Sequence, residues 1–240
     1  MVLIGANLLC MATFLLVHGG FCGSWVWERT TPALEAGGHR VATIDLPSSG
    51  PTADDLRDLA ADRAAVHSAL DSFDGDVVLV GHSGGGMVLA ELADHPKVEH
   101  SVYVAALHPQ KGQSVADLLG GQMPGWMVVR DDGAVQVNDD AEVVRQALCA
   151  DVEADYFARE VHPRYLLTSL SSLQSPSAAP KRTHLASYVV CEQDQAIPVG
   201  AQEAMASTFD KVQRLPSSHA PMLSMPERLA EVLSQTSAAA

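Results

Sequence analysis

Residues 77–80, Val-Val-Leu-Val, run straight into Gly81-His82-Ser83-Gly84-Gly85, and a helix-compatible stretch, Gly86–Asp94, follows. Strand, Gly-x-Ser-x-Gly and helix in immediate succession constrain a chain severely. The backbone must reverse within a few residues, glycines must stand where backbones meet, and the central serine is left on a sharp turn with its hydroxyl outward. Given the usual abundance of glycine and serine, three such fixed positions also arise by chance in roughly one chain in ten of this length. The surroundings therefore decide whether Ser83 is a nucleophile. A base, an acid and an oxyanion-binding turn have to come from elsewhere in the chain.

The remaining pattern supplies a frame. Thr13–Val17, Arg40–Ile44, Val77–Val80, His100–Val104, Leu185–Val190 and Val212–Leu215 read as strands. Val26–Ala36, Ala53–Phe73, Gly86–Asp94, Gly200–Ser207 and Pro226–Leu233 read as helices between or after them. Alternating α and β segments with buried-type strands predict an α/β fold with a mostly parallel sheet covered on both faces. In such sheets ligands sit at the carboxyl ends of the strands. Residues 109–180 interrupt the rhythm, and an insertion of that length is too long for a simple connection. Within it, Met127–Val129 and Ala134–Val137 flank Asp131-Asp132-Gly133, a hairpin signal, and Asp140–Ala150 and Asp151–Val161 read as short helices. The expected organisation is a core of 1–108 and 181–240 with a cap, 109–180, over the site.

Composition removes several classes of function. A net charge of −14, from 15 basic against 29 acidic residues, gives no general attraction to phosphate backbones or anionic lipid, so neither nucleic acid nor membrane is an expected partner. The four cysteines, at 10, 22, 149 and 191, form no C-x-x-C pair, which suggests neither a zinc site nor a redox motif; free thiols in a reducing compartment are expected. Cys22 reads as a small packing residue. Residues 1–17 are apolar but carry no Lys or Arg, unlike a signal peptide, and Thr13–Val17 is needed as a strand. Met11 is an alternative start, with 1–10 as an extension. No run reaches the roughly 20 apolar residues of a membrane span. A cytoplasmic enzyme without metal or cofactor is expected, and a homodimer is left open.

The catalytic groups are sought at strand ends. Leu15-Leu16-Val17 leads into His18-Gly19-Gly20-Phe21, a glycine turn whose backbone N–H groups can face an oxyanion. The N–H groups of Gly20 and Gly84 are the predicted pair, and His18 reads as structural. Among ten histidines, His219 lies in the loop after the last strand and is the candidate base. Asp194 lies in the loop after the preceding strand and is the candidate acid. Its rival, Glu192, sits nearer the strand, where loop geometry is less free. The order Ser83, Asp194, His219 is that of the α/β-hydrolase triad. Gly19, Phe21, His82, Trp126 and Met222 are the expected pocket-lining residues, with Leu118, Leu119, Met123 and Met127 adding apolar surface from the cap.

These segments carry a resemblance. His18-Gly19-Gly20-Phe21-Cys22-Gly23-Ser24-Trp25-Val26-Trp27 resembles the oxyanion segment of the plant methylesterase and hydroxynitrile lyase branch of the α/β-hydrolases. The stretches 41–50 and 191–198 are similar to that branch's second strand and acid loop, and 218–229 resembles the histidine segment of bacterial carboxylesterases, pyrethroid-ester hydrolases among them. The resemblance implies an α/β-hydrolase fold and a serine triad. Hydroxynitrile lyases of the branch carry Thr where this chain has Gly19 and Lys where it has Ala220. A cation is what stabilises departing cyanide, so the resemblance implies ester hydrolysis, with small or apolar esters as substrates through an acyl-enzyme on Ser83. The alternatives are a lyase or lactonase on the same triad, and a ligand-binding homologue without catalysis.

Overall fold

A computed structural model describes residues 11–237; Cys10 and the proposed N-terminal extension lie outside the described residues. The apolar runs form six strands: β1 (Thr13–Val17), β2 (Arg40–Ile44), β4 (Val77–His82), β5 (Val98–Val104), β9 (Leu185–Cys191) and β10 (Lys211–Leu215). They pair in parallel in the order β10-β9-β5-β4-β1-β2. The central strands are apolar on both faces because both are covered: Phe14, Leu16 and Val77 to Val80 are fully buried. β2 and β10 lie at the edges, and their residues are half-buried or exposed except for the buried Leu215.

The chain builds outward from β1 to β2, then crosses to the other side of β1 to start β4. The reversal of direction opens a crevice between the carboxyl ends of β1 and β4. Gly19-Gly20 leave β1 there, and Ser83 leaves β4 there. Ten α-helices are described: α1 (Thr30–Ala36), α2 (Leu59–Asp71), α3 (Gly85–Glu91), α4 (Val115–Leu118), α5 (Ala141–Leu148), α6 (Ala154–Tyr156), α7 (Leu170–Gln174), α8 (Val199–Ala206), α9 (Pro221–Ser224) and α10 (Pro226–Ser237).

Local chemistry explains where these elements depart from the sequence pattern. The helix expected over 26–36 is a 3-10 turn at Ser24–Trp27 followed by α1, which accepts Pro32 because it falls in the first turn. The helix expected over 53–73 breaks at Leu56: Asp58 accepts from the Ala61 N–H at 3.0 Å and starts α2 afresh. The helix expected from Asp151 begins only at Ala154, because Glu153 accepts from the Asp155 and Tyr156 N–H groups, and it then widens into a π turn over Phe157–Val161. Pro221 likewise opens α9 in a segment read as loop.

Between β5 and β9 the insertion builds a second sheet. The expected hairpin is β6 (Met127–Val129) with β7 (Ala134–Val137), and β7 also pairs with β8 (Leu167–Ser169), which sequence had left unassigned. β8 then pairs with β3 (Ser49–Gly50), a strand lying outside the insertion. The inserted segment is therefore hydrogen-bonded into the segment that follows β2. Arg164 adds a second tie, a bidentate pair to Glu28 at 2.9 and 2.6 Å, with its guanidinium 4.5 Å from the Trp25 ring centroid.

One buried carboxyl sits behind this crevice. Asp62 on α2 is 2% exposed and accepts from the Ser48 N–H at 2.8 Å, and burial pushes its pKa up to about 6. An unfolded aspartate ionises near 3.9, so between about pH 4 and 6 the native state holds a proton that the unfolded state has lost. Asp62 then lowers stability as pH rises through that window. Asp62→Asn cannot titrate, so its stability relative to the parent should rise by about 2 kcal/mol between pH 4.5 and 7.5. Urea denaturation at the two pH values checks this, and a pH-independent difference would contradict it.

Candidate active site

Ser83 ends the turn after β4 with φ of +51°, a left-handed conformation in a non-glycine residue. Its carbonyl accepts from the Gly86 and Leu107 N–H groups at 3.1 and 3.0 Å, which fixes the turn from behind. Ser83 is partly exposed and faces a pocket with about 730 Å³ of empty space, mouth included.

His219 and Asp194 meet across the loops after β10 and β9. His219 Nδ1 lies 2.7 Å from Asp194 Oδ2, with both side chains buried. The Asp194 carboxylate has three other donors: the Ala196 and Ile197 N–H groups at 2.8 and 2.9 Å on Oδ1, and Gln202 Nε2 at 2.9 Å on Oδ2. With so many fixed donors the carboxylate cannot rotate freely. It orients the imidazole so that Nδ1 carries the proton and Nε2 keeps its lone pair. Glu192, the rival acid, is exposed. No hydrogen bond joins Ser83 Oγ to His219 among the described residues, although both line the pocket. Such contacts are often long without substrate and tighten on binding.

The oxyanion turn lies alongside. A Cβ built on Gly84 would stand 3.4 Å from the Gly20 nitrogen, so the two backbones are in contact. Neither the Gly20 N–H nor the Gly84 N–H has an acceptor among the described residues. Two adjacent unbonded donors beside a serine hydroxyl are what an oxyanion requires.

Of the expected pocket residues, Phe21, His82, Trp126 and Met222 line the cavity, as do the expected oxyanion donors Gly20 and Gly84 and the cap residues Leu119 and Met127. Phe21 and Trp126 meet edge to face with centroids 5.5 Å apart. Leu118 and Met123 pack against the core instead of lining the cavity. Gly19 lines a smaller adjoining cavity beside Ser48, Asp62 and Thr168, which it shares with Gly20 and Gly84. Its lack of a side chain matters for the elbow, since a Cβ there would stand 2.7 Å from the Ser83 Cβ. His82 lines the pocket but is only 4% exposed, and its Nε2–H donates to the His219 carbonyl at 2.9 Å. Burial, then the neighbouring His219, hold its pKa well below the ordinary histidine range, so it stays neutral. Cys22 also borders the pocket; burial raises its thiol pKa, leaving it unreactive. His18 is fully buried and structural in its bonding: Nε2 accepts from the Leu46 N–H at 2.9 Å and Nδ1–H donates to the Gly19 carbonyl at 2.7 Å.

Three contributors escaped the sequence reading. Gln202 is fully buried and grips both Asp194 and the Cys191 backbone. Thr168 Oγ1 accepts from the Phe21 N–H at 2.6 Å, while the Leu166 N–H donates to the Phe21 carbonyl at 2.7 Å, so the insertion holds a residue at φ of +64° beside Gly20. Asp151 accepts from the Ser218 N–H at 3.0 Å and from the Ser218 hydroxyl, next to His219. No local sequence signal marks these residues, because each partner lies far away along the chain.

Residues 14–232 match the alpha/beta hydrolase family, and the chain belongs to it. Norfluorocurarine synthase 1 from Strychnos nux-vomica is 27% identical over 259 residues, covering 96% of this chain and 97% of that protein. Methylesterase 1 from Arabidopsis thaliana is 28% identical over 245 residues, covering 91% and 93%. Among solved structures, the pyrethroid hydrolase from Sphingobium faniae JZ-2 superposes with a TM-score of 0.81 at 25% identity, covering 95% of this chain and 98% of that one.

Two substitutions probe the geometry. Asp151→Ala leaves two buried donors of Ser218 without their carboxylate and should lower kcat/KM for a nitrophenyl ester about tenfold, a loss of about 1.4 kcal/mol; an unchanged kcat/KM would show that His219 is held without it. Gly19→Ala places its methyl against Ser83 and should lower kcat by at least about tenfold while the circular dichroism spectrum is retained. A parental rate in that variant would mean that the elbow can give way.

Proposed function

We propose that the protein is a serine carboxylesterase that cleaves small or apolar esters through an acyl-enzyme on Ser83. The observation that carries this reading is the convergence on one apolar pocket of Ser83, His219 and the two unbonded N–H groups of Gly20 and Gly84, with Asp194 hydrogen-bonded behind His219. Two of the three reported relatives carry names of that class, a methylesterase and a pyrethroid hydrolase, while the third is named a synthase.

Ser83 Oγ attacks the ester carbonyl as its proton passes to His219 Nε2. The carbonyl oxygen becomes an oxyanion between the Gly20 and Gly84 N–H groups, a contact worth about 3 kcal/mol per donor in comparable sites. Asp194 faces the imidazolium. The bond to the alkoxy oxygen breaks, His219 returns its proton to that oxygen, and alcohol leaves. Water then attacks the acyl carbon as its proton passes to His219; the carbon–Oγ bond breaks, His219 returns that proton to Ser83 Oγ, and acid leaves. His82 stays neutral throughout and positions the His219 backbone.

Leu119, Trp126, Met127, Met222 and Leu223 give the pocket an apolar lining. Carboxylates or ammonium groups on the acyl chain find no charged partner there.

Ser83→Ala should abolish turnover of nitrophenyl esters with no loss of thermal stability, and a fluorophosphonate should label the parent at Ser83 but not the variant. A full esterase rate in Ser83→Ala, or labelling elsewhere with parental activity, would refute the assignment. Across a panel of nitrophenyl esters, neutral acyl chains should be preferred over charged ones.

A further inference from the structure

Three side chains gather near the amino ends of β4 and β5, at the end of the sheet away from Ser83. His67 and Asp71 stand one turn apart on α2, the spacing that puts two residues on one face. His95 comes from the turn between α3 and β5. His67 Nδ1 lies 3.3 Å from one Asp71 oxygen and His95 Nε2 lies 3.6 Å from the other. The two imidazole rings stand 4.6 Å apart at 83°, edge to face. One ligand-type atom from each of the three residues falls within 4.8 Å of the other two.

These spacings are informative. A good N–H···O bond spans about 2.7–3.2 Å, and neither histidine makes one to Asp71. A four-coordinate ion with nitrogen and oxygen ligands at about 2.0–2.2 Å keeps neighbouring donor atoms roughly 3.4 Å apart. The histidines fall just short of ordinary pairing with Asp71, each toward a different oxygen, and all three donors lie within 4.8 Å of one another, a spread that a shared ion could draw together. Lys97 does not compete for the carboxylate: its ammonium donates to the backbone carbonyls of Asp71 and Phe73 at 2.7 and 2.6 Å. No Lys or Arg pairs with the Asp71 carboxylate among the described residues.

We propose that His67, Asp71 and His95 form a binding site for a divalent transition metal, with zinc the best match. Two imidazoles and one carboxylate are a borderline donor set of the kind zinc, nickel and copper accept. His95 is the fixed ligand, with its side chain 3% exposed; His67 and Asp71 are open to solvent at 44% and 58%, leaving room for a water in the fourth position. One contact opposes binding. The Lys97 N–H donates to His95 Nδ1 at 3.3 Å, and ligation through Nε2 moves the ring proton to Nδ1 and breaks that long contact. The bound ion would staple the end of α2 to the turn entering β5, so its role is structural and independent of the esterase reading. The cysteine spacing that argued against zinc carries no information about this site, whose ligands come from a helix face and a distant turn.

The full chain, without an affinity tag and stripped with a chelator, should bind about one equivalent of zinc chloride by calorimetry. At roughly a hundredfold excess over Kd its melting temperature should rise by about 5 °C. His95→Ala and Asp71→Ala should lose both effects. His67→Ala, which removes a half-exposed side chain and its edge contact with His95, should weaken binding at least tenfold even if the buried variant fails to fold. No zinc binding by the parent, or parental affinity in His67→Ala or Asp71→Ala, would overturn the proposal.

Discussion

The left-handed turn at Ser83 is the constraint on which the rest of the site depends. A strand can pass into a helix this abruptly only if the first residues of the helix have almost no volume. A Cβ on Gly85 would stand 2.7 Å from the His18 carbonyl, and one on Gly86 would collide with the Leu107 carbonyl. These two glycines let α3 close at once against the exits of β1 and β5. Every residue of α3 is buried as a result. The same closeness brings the Gly20 backbone against Gly84, so the elbow sets the position of the candidate nucleophile and of both candidate oxyanion donors. Strain at one residue is offset by packing over a whole helix.

The loops opposite the elbow are held differently. β9 and β10 end where Asp194 and His219 are needed, but a loop is only as rigid as its hydrogen bonds. Gln202 on α8 anchors the acid loop to the end of β9. The histidine loop is held from below by His82 and from above by Asp151. The inserted segment thus reaches the His219 loop through Asp151 and the oxyanion turn through Thr168. A segment with both attachments cannot swing away as a free lid without disturbing the groups under it. Its apolar side chains close the pocket, and its polar ones keep neighbouring loops in register.

Legibility in the sequence followed the range of the interactions. The parallel sheet was readable because buried strands are continuous apolar runs, and Val77 to Val80 or Leu15 to Val17 can be little else. Ser83, Gly20, Asp194 and His219 were readable as candidates because each sits just past a strand end, and strand ends converge in this topology. Helix starts were misjudged where one capping side chain decides them, as at Asp58 and Glu153. β3 and β8 were invisible: two and three residues carry no periodicity, and their pairing joins positions over a hundred residues apart. Gln202, Thr168 and Asp151 were missed for the same reason. Gly19 was placed in the pocket from its neighbours in sequence, and the crowding that a Cβ there would cause at Ser83 is visible only in the folded chain.

The charge distribution of the pocket limits the chemistry that the proposed triad can perform. No Lys or Arg lines the cavity, and Ala220 occupies the place next to His219 where the resembling lyases carry a cation. Negative charge on a departing group therefore has no fixed positive partner. The group can leave only by taking a proton from His219, which suits an alkoxide of high basicity and ill suits a weakly basic anion such as cyanide. Charge on the carbonyl oxygen is met by backbone dipoles from Gly20 and Gly84, and charge on the imidazole by Asp194. In the proposed reaction each charge that develops during acyl transfer has a candidate partner, whereas a departing cyanide has no cation lining the pocket among the described residues. Ester cleavage is thus favoured as much by what the pocket omits as by the residues that it brings together.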